Sequence, residues 1–105
     1  MRVELLYADG DPAAMTARQN LVEVLTEDAF ETPIQMITVS SQTDAELLDM
    51  HGSPTIRIDG ADLAPDRAGP VGLEPRDYGA GPVPDKETIR RAVERARGWA
   101  HGSRT

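Results

Sequence analysis

The chain of 105 residues contains no cysteine, which excludes disulfide bonds, thiol nucleophiles and thiolate metal sites. Aromatic residues are scarce, so the core has to be built mainly from aliphatic side chains and methionine. The only aromatic residues are Tyr7, Phe30, Tyr78 and Trp99. No apolar run approaches the roughly 20 residues of a membrane-spanning helix. The first residues lead directly into a predicted strand and lack the layout of a signal peptide, so we expect a cytoplasmic protein.

Charge is unevenly distributed along the chain. The formal net charge is −7, yet residues 1–84 carry 5 basic and 15 acidic side chains, whereas residues 85–105 carry 6 basic and 3 acidic ones. The acidic body argues against nucleic acid as a partner, because phosphate binding needs a positive surface. The basic C-terminal segment is compatible with an acidic partner, with packing on the acidic body, or simply with a solvated helix face.

The first half of the chain predicts a β-α-β unit. Strand one covers Arg2 to Ala8, and Asp11 and Pro12 are typical of a helix N-cap and first helical position. This helix is expected to run to about Asp28. Strand two follows from Ile34 to Val39, and a β-α-β unit requires parallel strands joined by a right-handed crossover.

The second half predicts a helix, a hairpin and a covering helix. Thr43 and Glu46 match a capping box, Leu47, Leu48 and Met50 would form the apolar face of this helix, and Gly52 would end it. Strand three, Pro54 to Ile58, is joined through the hairpin signal Asp59-Gly60 to a short strand over Ala61 to Ala64. Residues 65–84 predict an irregular surface loop.

The last helix has the clearest amphipathic pattern in the chain. Asp85 would cap it, and apolar residues recur at helical spacing: Ile89, Ala92, Val93 and Ala96. Trp99 is expected to fold back as an anchor, and residues 101–105 are expected to fray. The sequence therefore predicts one α/β domain over residues 1–100, with the order β-α-β-α-β-β-α.

This order resembles the thioredoxin fold, a mixed four-stranded sheet with helices on both faces. Asp11-Pro12-Ala13-Ala14 stands where that superfamily carries Cys-x-x-Cys, and Gly52-Ser53-Pro54-Thr55 resembles its cis-proline turn. Gly72-Leu73-Glu74-Pro75-Arg76-Asp77-Tyr78 is similar to a Gly-Leu-x-Cys-Arg-x-Tyr stretch of small bacterial thioredoxin-like proteins. The resemblance covers nearly the whole chain and implies a groove that holds a ligand.

All three positions where such relatives carry sulfur hold other residues, namely Asp11, Ala14 and Pro75. Dithiol exchange needs a thiolate that attacks a disulfide sulfur, and the thioether of methionine is not an exchange nucleophile. Oxidoreductase activity by the superfamily mechanism is therefore excluded. We expect no cofactor.

Two positions stand out as candidate sites, and each has a purely structural explanation. Asp11 would cap the first helix through hydrogen bonds from backbone amides and through the helix dipole; alternatively it marks a retained groove or acts as a base. Pro54 would shape a tight turn, or Ser53 before it would offer its backbone to an extended ligand, as the resemblance implies.

Other sites have less support in the residue pattern. Asp9, Asp11, Asp49 and His51 resemble no established metal motif, and His51 is more simply a helix C-terminal residue favoured by the dipole. Ser53 lacks the surroundings of a nucleophile, and the glycines form no phosphate-binding run. Arg76 and Tyr78 either clamp an anion or a peptide or are solvated on the surface.

Three function hypotheses follow. The first is a binding module that holds a protein, a peptide or a small ligand in a groove formed by Gly10, Asp11, Pro12, Ala13, Ala14, Ser53, Pro54, Thr55, Arg76 and Tyr78. The second is an enzyme that uses Asp11, Asp9 or His51 as an acid or base. The third is a homodimeric scaffold that uses a sheet edge or the C-terminal helix. Neither a metal, nor nucleic acid, nor a membrane is an expected partner.

Overall fold

A computed structural model describes residues 1–27 and 32–98. It contains six strands, three α-helices and a short 3-10 helix in the part of the chain that it describes. The strands are β1 (Val3–Ala8), β2 (Ile34–Val39), β3 (His51–Ser53), β4 (Thr55–Ile58), β5 (Ala61–Asp62) and β6 (Gly72–Pro75). The helices are α1 (Ala13–Glu27), α2 (Gln42–Leu47) and α3 (Lys86–Ala96), and the 3-10 helix is Pro65–Arg67.

The main sheet has four strands in the order β2-β1-β4-β5. β1 runs parallel to β2 and antiparallel to β4, and β4 is antiparallel to β5. The predicted α/β fold with a mixed four-stranded sheet is confirmed. The predicted element order is wrong in its second half, because β3 and β6 form a separate two-stranded parallel sheet.

Alternation along β1 divides the core into two clusters. Val3 and Leu5 pack with α1 and α3, whereas Leu6 points to the opposite face and packs with Val39 and with Ala45 of α2. Helices therefore cover both faces of the sheet, since successive side chains of a strand point to opposite sides. None of the described helices is both long and apolar enough to cross a membrane.

The hairpin prediction at Asp59-Gly60 is confirmed. Ile58 pairs with Ala61 across the turn, and both turn residues have positive φ angles, 53° and 85°. These are the angles that a two-residue turn of type I′ requires, and aspartate and glycine adopt them readily. β5 is shorter than the strand predicted over Ala61 to Ala64, since it ends at Asp62.

The second helix differs most from its prediction. It begins two residues earlier than predicted. Its N-cap is Ser41, whose side chain accepts a hydrogen bond from the Asp44 amide, so the prediction of a capping box at Thr43 is wrong. The helix ends at Leu47, whose side chain is 79% exposed rather than part of an apolar face. Gly52 and His51 do not terminate it, because both lie in β3.

The basic C-terminal helix packs on the acidic body of its own chain. Lys86 forms an ion pair with Glu23, and Arg90 forms one with Glu27 at 2.8 Å, both on α1. The Asp85 carboxylate accepts a hydrogen bond from the Thr88 amide, which confirms it as the N-cap. The predictions for the end of the first helix at Asp28, for Trp99 and for residues 101–105 lie outside the described residues.

Candidate functional site

The structure brings the start of α1 into direct contact with the end of β3. The Asp11 carboxylate accepts a hydrogen bond from the Ala13 amide through Oδ1 (2.9 Å) and one from the Ser53 hydroxyl through Oδ2 (2.5 Å). The Ser53 Oγ in turn accepts a hydrogen bond from the Ala8 amide (2.8 Å). One carboxylate and one hydroxyl thus join β1, α1 and β3.

This arrangement explains both residue types without reference to a ligand. The Asp11 carboxylate satisfies an amide that the first turn of a helix leaves without a partner. Ser53 is buried, and its hydroxyl uses its donor and one acceptor site internally, as buried polar groups normally do. The Ser53–Pro54 peptide bond is cis.

Arg76 and Tyr78 are buried behind this turn, so the expectation that they are solvated on the surface is wrong. The Arg76 guanidinium forms a bidentate ion pair with the Asp62 carboxylate, in which both N···O distances are 2.8 Å. It also donates to the carbonyl of Ala64 (2.8 Å) and to the hydroxyl of Thr55 (3.2 Å). Although burial opposes the charged form, the hydrogen bonds to Asp62 hold the pKa of Arg76 above its ordinary value.

Tyr78 connects this cluster to the proline turn. Its hydroxyl donates a hydrogen bond to the Pro54 carbonyl (2.6 Å), and the Arg76 guanidinium carbon lies 4.7 Å from the centre of its ring. Burial raises the pKa of the Tyr78 hydroxyl well above its ordinary value. The hydroxyl is therefore a neutral hydrogen-bond donor. Because it donates to the Pro54 carbonyl, it also fixes the long segment after residue 65 to the core.

The ten residues of the predicted groove are unequally accessible. Gly10 and Pro12 are exposed, and Asp11 and Ala13 are half-buried. The remaining six are buried: Ala14, Ser53, Pro54, Thr55, Arg76 and Tyr78. Met15, in the first turn of α1, is 60% exposed. Residues 10–13 and the Met15 side chain are thus the accessible part of this region, whereas the other six residues are shielded from solvent.

The hydrogen-bond partners of the His51 ring are Asp49 and Gly69, not Asp11. Its Nε2 is 3.1 Å from an Asp49 carboxylate oxygen, and its Nδ1 is 2.6 Å from the carbonyl oxygen of Gly69. No group of three or more histidine, aspartate or glutamate side chains in the described part of the chain is arranged to hold a metal ion.

A second concave feature lies between the 3-10 helix and α3, and the sequence pattern did not predict it. A cavity of about 370 Å³ opens there, and three of its lining residues are arginines: Arg67, Arg91 and Arg95. Two of them, Arg91 and Arg95, stand four residues apart and so share one face of α3. That spacing could have indicated two arginines side by side on α3. The sequence gives no comparable signal for Arg67, because its position beside α3 depends on the path of residues 68–85.

Comparisons with protein-family models, with curated proteins and with solved structures found no significant match to this chain.

Proposed function

We propose that this chain is a thioredoxin-like binding module without redox chemistry, which holds a peptide segment of a partner protein against the start of α1. The carrying observation is the hydrogen bond between Asp11 and Ser53. It joins the two segments that the predicted groove needs and leaves Gly10 and Pro12 exposed beside it.

The buried residues of the predicted groove support this surface rather than line it. Tyr78 holds the Pro54 carbonyl, and Arg76 ties Asp62 to Thr55. Residues held by internal hydrogen bonds keep the overlying backbone in place, and a preorganised surface loses less conformational entropy when it binds. A partner would therefore contact residues 10–13 and Met15.

The chemistry available at this surface favours binding over catalysis. The Asp11 carboxylate already accepts two hydrogen bonds, and the histidine of the enzyme hypothesis is bonded to Asp49 and Gly69. The exposed Met15 offers a flexible, polarisable contact of a kind that is common at protein-binding surfaces. The proposal includes a cytoplasmic location and a protein or peptide partner.

The test is a crosslinking pull-down from a lysate of the source cells, read by mass spectrometry. Wild type is compared with the double variant Pro12→Arg/Met15→Arg, which changes only accessible side chains. Leu47→Arg/Leu48→Arg is the matched control, because it places the same two charges on exposed apolar residues at the end of another helix. A partner lost from the double variant and retained by the control supports the proposal.

Partners captured equally by all three proteins would refute the proposed surface. Circular dichroism of each variant confirms that it is folded. Light scattering on the purified wild type tests the homodimer hypothesis, because it measures the mass of the protein in solution. If the protein is a dimer, the partner is a second copy of the chain.

A further inference from the structure

The cavity between the 3-10 helix and α3 has an unusual charge for this protein. It is lined by three arginines and by a single carboxylate, Asp66, so its lining carries two net positive charges. The whole chain carries −7. Tyr78 also lines the cavity. Burial raises the pKa of its hydroxyl, so this side chain is neutral and does not reduce the positive charge.

None of these three arginines forms an ion pair with a described residue. Among residues 1–27 and 32–98, ion pairs involve the arginines at positions 2, 76 and 90 but neither Arg67 nor Arg91. Arg95 donates to the Leu63 carbonyl at 3.2 Å, which holds its side chain across the cavity wall. The neighbouring cations Lys86 and Arg90 are instead paired with α1 carboxylates.

This contrast within one helix points to a ligand. α3 uses one side for ion pairs with its own chain, whereas Arg91 on another side faces a cavity with a surplus of donors. Guanidinium groups are suited to the planar, two-pronged recognition of phosphate and carboxylate oxygens. Thr88 also lines the cavity, and its hydroxyl is hydrogen-bonded to the Asp85 carboxylate.

We propose that this cavity binds a small molecule carrying a phosphate or pyrophosphate group. A phosphate monoester carries about −1.5 to −2 charges near neutral pH and three acceptor oxygens, which matches the charge surplus of the lining. A single carboxylate carries one charge and two oxygens and would leave part of that surplus uncompensated. The volume of about 370 Å³ lies at the lower end of the usual range for small-molecule sites.

The site is distinct from the surface at the start of α1. It shares only Tyr78 with the predicted groove, and its arginines belong to the 3-10 helix and α3. The proposal therefore does not depend on the proposed peptide-binding function, and either can fail without the other.

The experiment is a titration of the purified protein with inorganic pyrophosphate at constant ionic strength. Isothermal calorimetry measures the affinity, and backbone amide spectra locate the site. The variants are Arg67→Gln and Arg91→Gln, and the matched control is Arg90→Gln. The control removes the same charge one residue away on the same helix, from a side chain that does not line the cavity.

We expect saturable binding, with amide shifts concentrated at residues 63–67, 78 and 88–95. Each cavity variant should weaken binding about tenfold or more, because it removes a charge-assisted hydrogen bond to the ligand. A tenfold change corresponds to about 1.4 kcal/mol. Arg90→Gln should change the affinity less than twofold. Acetate at the same concentration should not displace pyrophosphate.

Three results would overturn the proposal. Absence of saturable binding would remove the site. Equal weakening by Arg90→Gln and Arg91→Gln would show a general charge effect instead of a built cavity. Displacement of pyrophosphate by equimolar acetate would assign the cavity to carboxylates and not to phosphates.

Discussion

The ion pair between Arg76 and Asp62 allows a sharp test of how the long segment after residue 65 is held. We consider Arg76→Met, which keeps much of the side-chain length and removes the charge. The Arg76 side chain is 1% exposed and that of Asp62 is 19% exposed. The variant leaves the Asp62 carboxylate, the Ala64 carbonyl and the Thr55 hydroxyl without their common donor.

Removing one partner of a fully buried ion pair costs about 3–5 kcal/mol. Because Asp62 retains some contact with water, we expect a loss near the lower limit, about 3 kcal/mol. The Arg76 Nε is buried without a hydrogen-bond partner in the described part of the chain, so the wild-type arrangement already includes a small cost that methionine removes. A domain of this size has a total stability of about 5–15 kcal/mol, so the effect is large.

Urea denaturation measures the change. With a slope of about 1.5 kcal/mol/M, a loss of 3 kcal/mol lowers the midpoint by roughly 2 M. Arg91→Met is the matched control, because the same substitution at an exposed position of α3 should change stability by no more than about 0.5 kcal/mol.

A double-mutant cycle with Asp62→Asn separates the ion pair from general packing. Groups in one hydrogen-bond network are coupled by about 0.5–3 kcal/mol, so the double variant should be more stable than the sum of the single losses predicts. A loss below 1 kcal/mol for Arg76→Met, or additivity within about 0.4 kcal/mol, would refute the reasoning.

Three further predictions concern other parts of the fold. Asp85→Ala should lower the unfolding free energy by about 1 kcal/mol through loss of the α3 cap. The hydrogen bond from the Thr88 amide lowers the pKa of Asp85, so its stabilisation should be present above the ordinary pKa and be lost as the pH falls through the folded value. Urea titrations at pH 7 and pH 3 should show a smaller difference between wild type and variant at pH 3. Gly52→Ala should cost about 1–3 kcal/mol in thermal unfolding, because Gly52 has a φ of +99° and an added Cβ would lie 3.2 Å from the Glu74 carbonyl oxygen; an unchanged melting temperature would contradict this. Met50→Ala should cost about 2–5 kcal/mol by chemical denaturation, since Met50 is fully buried in the cluster on the α2 face; a loss under 1 kcal/mol would show that this cluster collapses around the smaller side chain.

Local patterns were sufficient for the elements that depend on near neighbours. The capping residue Asp85, the period of apolar residues in α3 and the turn at Asp59-Gly60 all act within a few residues, and the structure agrees with each. The second helix was misplaced because both Ser41 and Thr43 can cap a helix. Residues 51–53 lie in a strand because His51 pairs with Gly72 and Ser53 with Pro75, which are distant along the chain.

The sequence by itself determined that there is no thiol chemistry, because no fold can supply a sulfur nucleophile to a chain without cysteine. It also determined the α/β class and placed Asp11 at the start of a helix. Tertiary structure alone decided that Ser53 contacts Asp11, that Arg76 is buried against Asp62, and that Arg67 lines one cavity with Arg91, which is 24 positions away. These contacts join residues distant along the chain, and a residue pattern carries no record of which distant partner the folded backbone brings within hydrogen-bond distance.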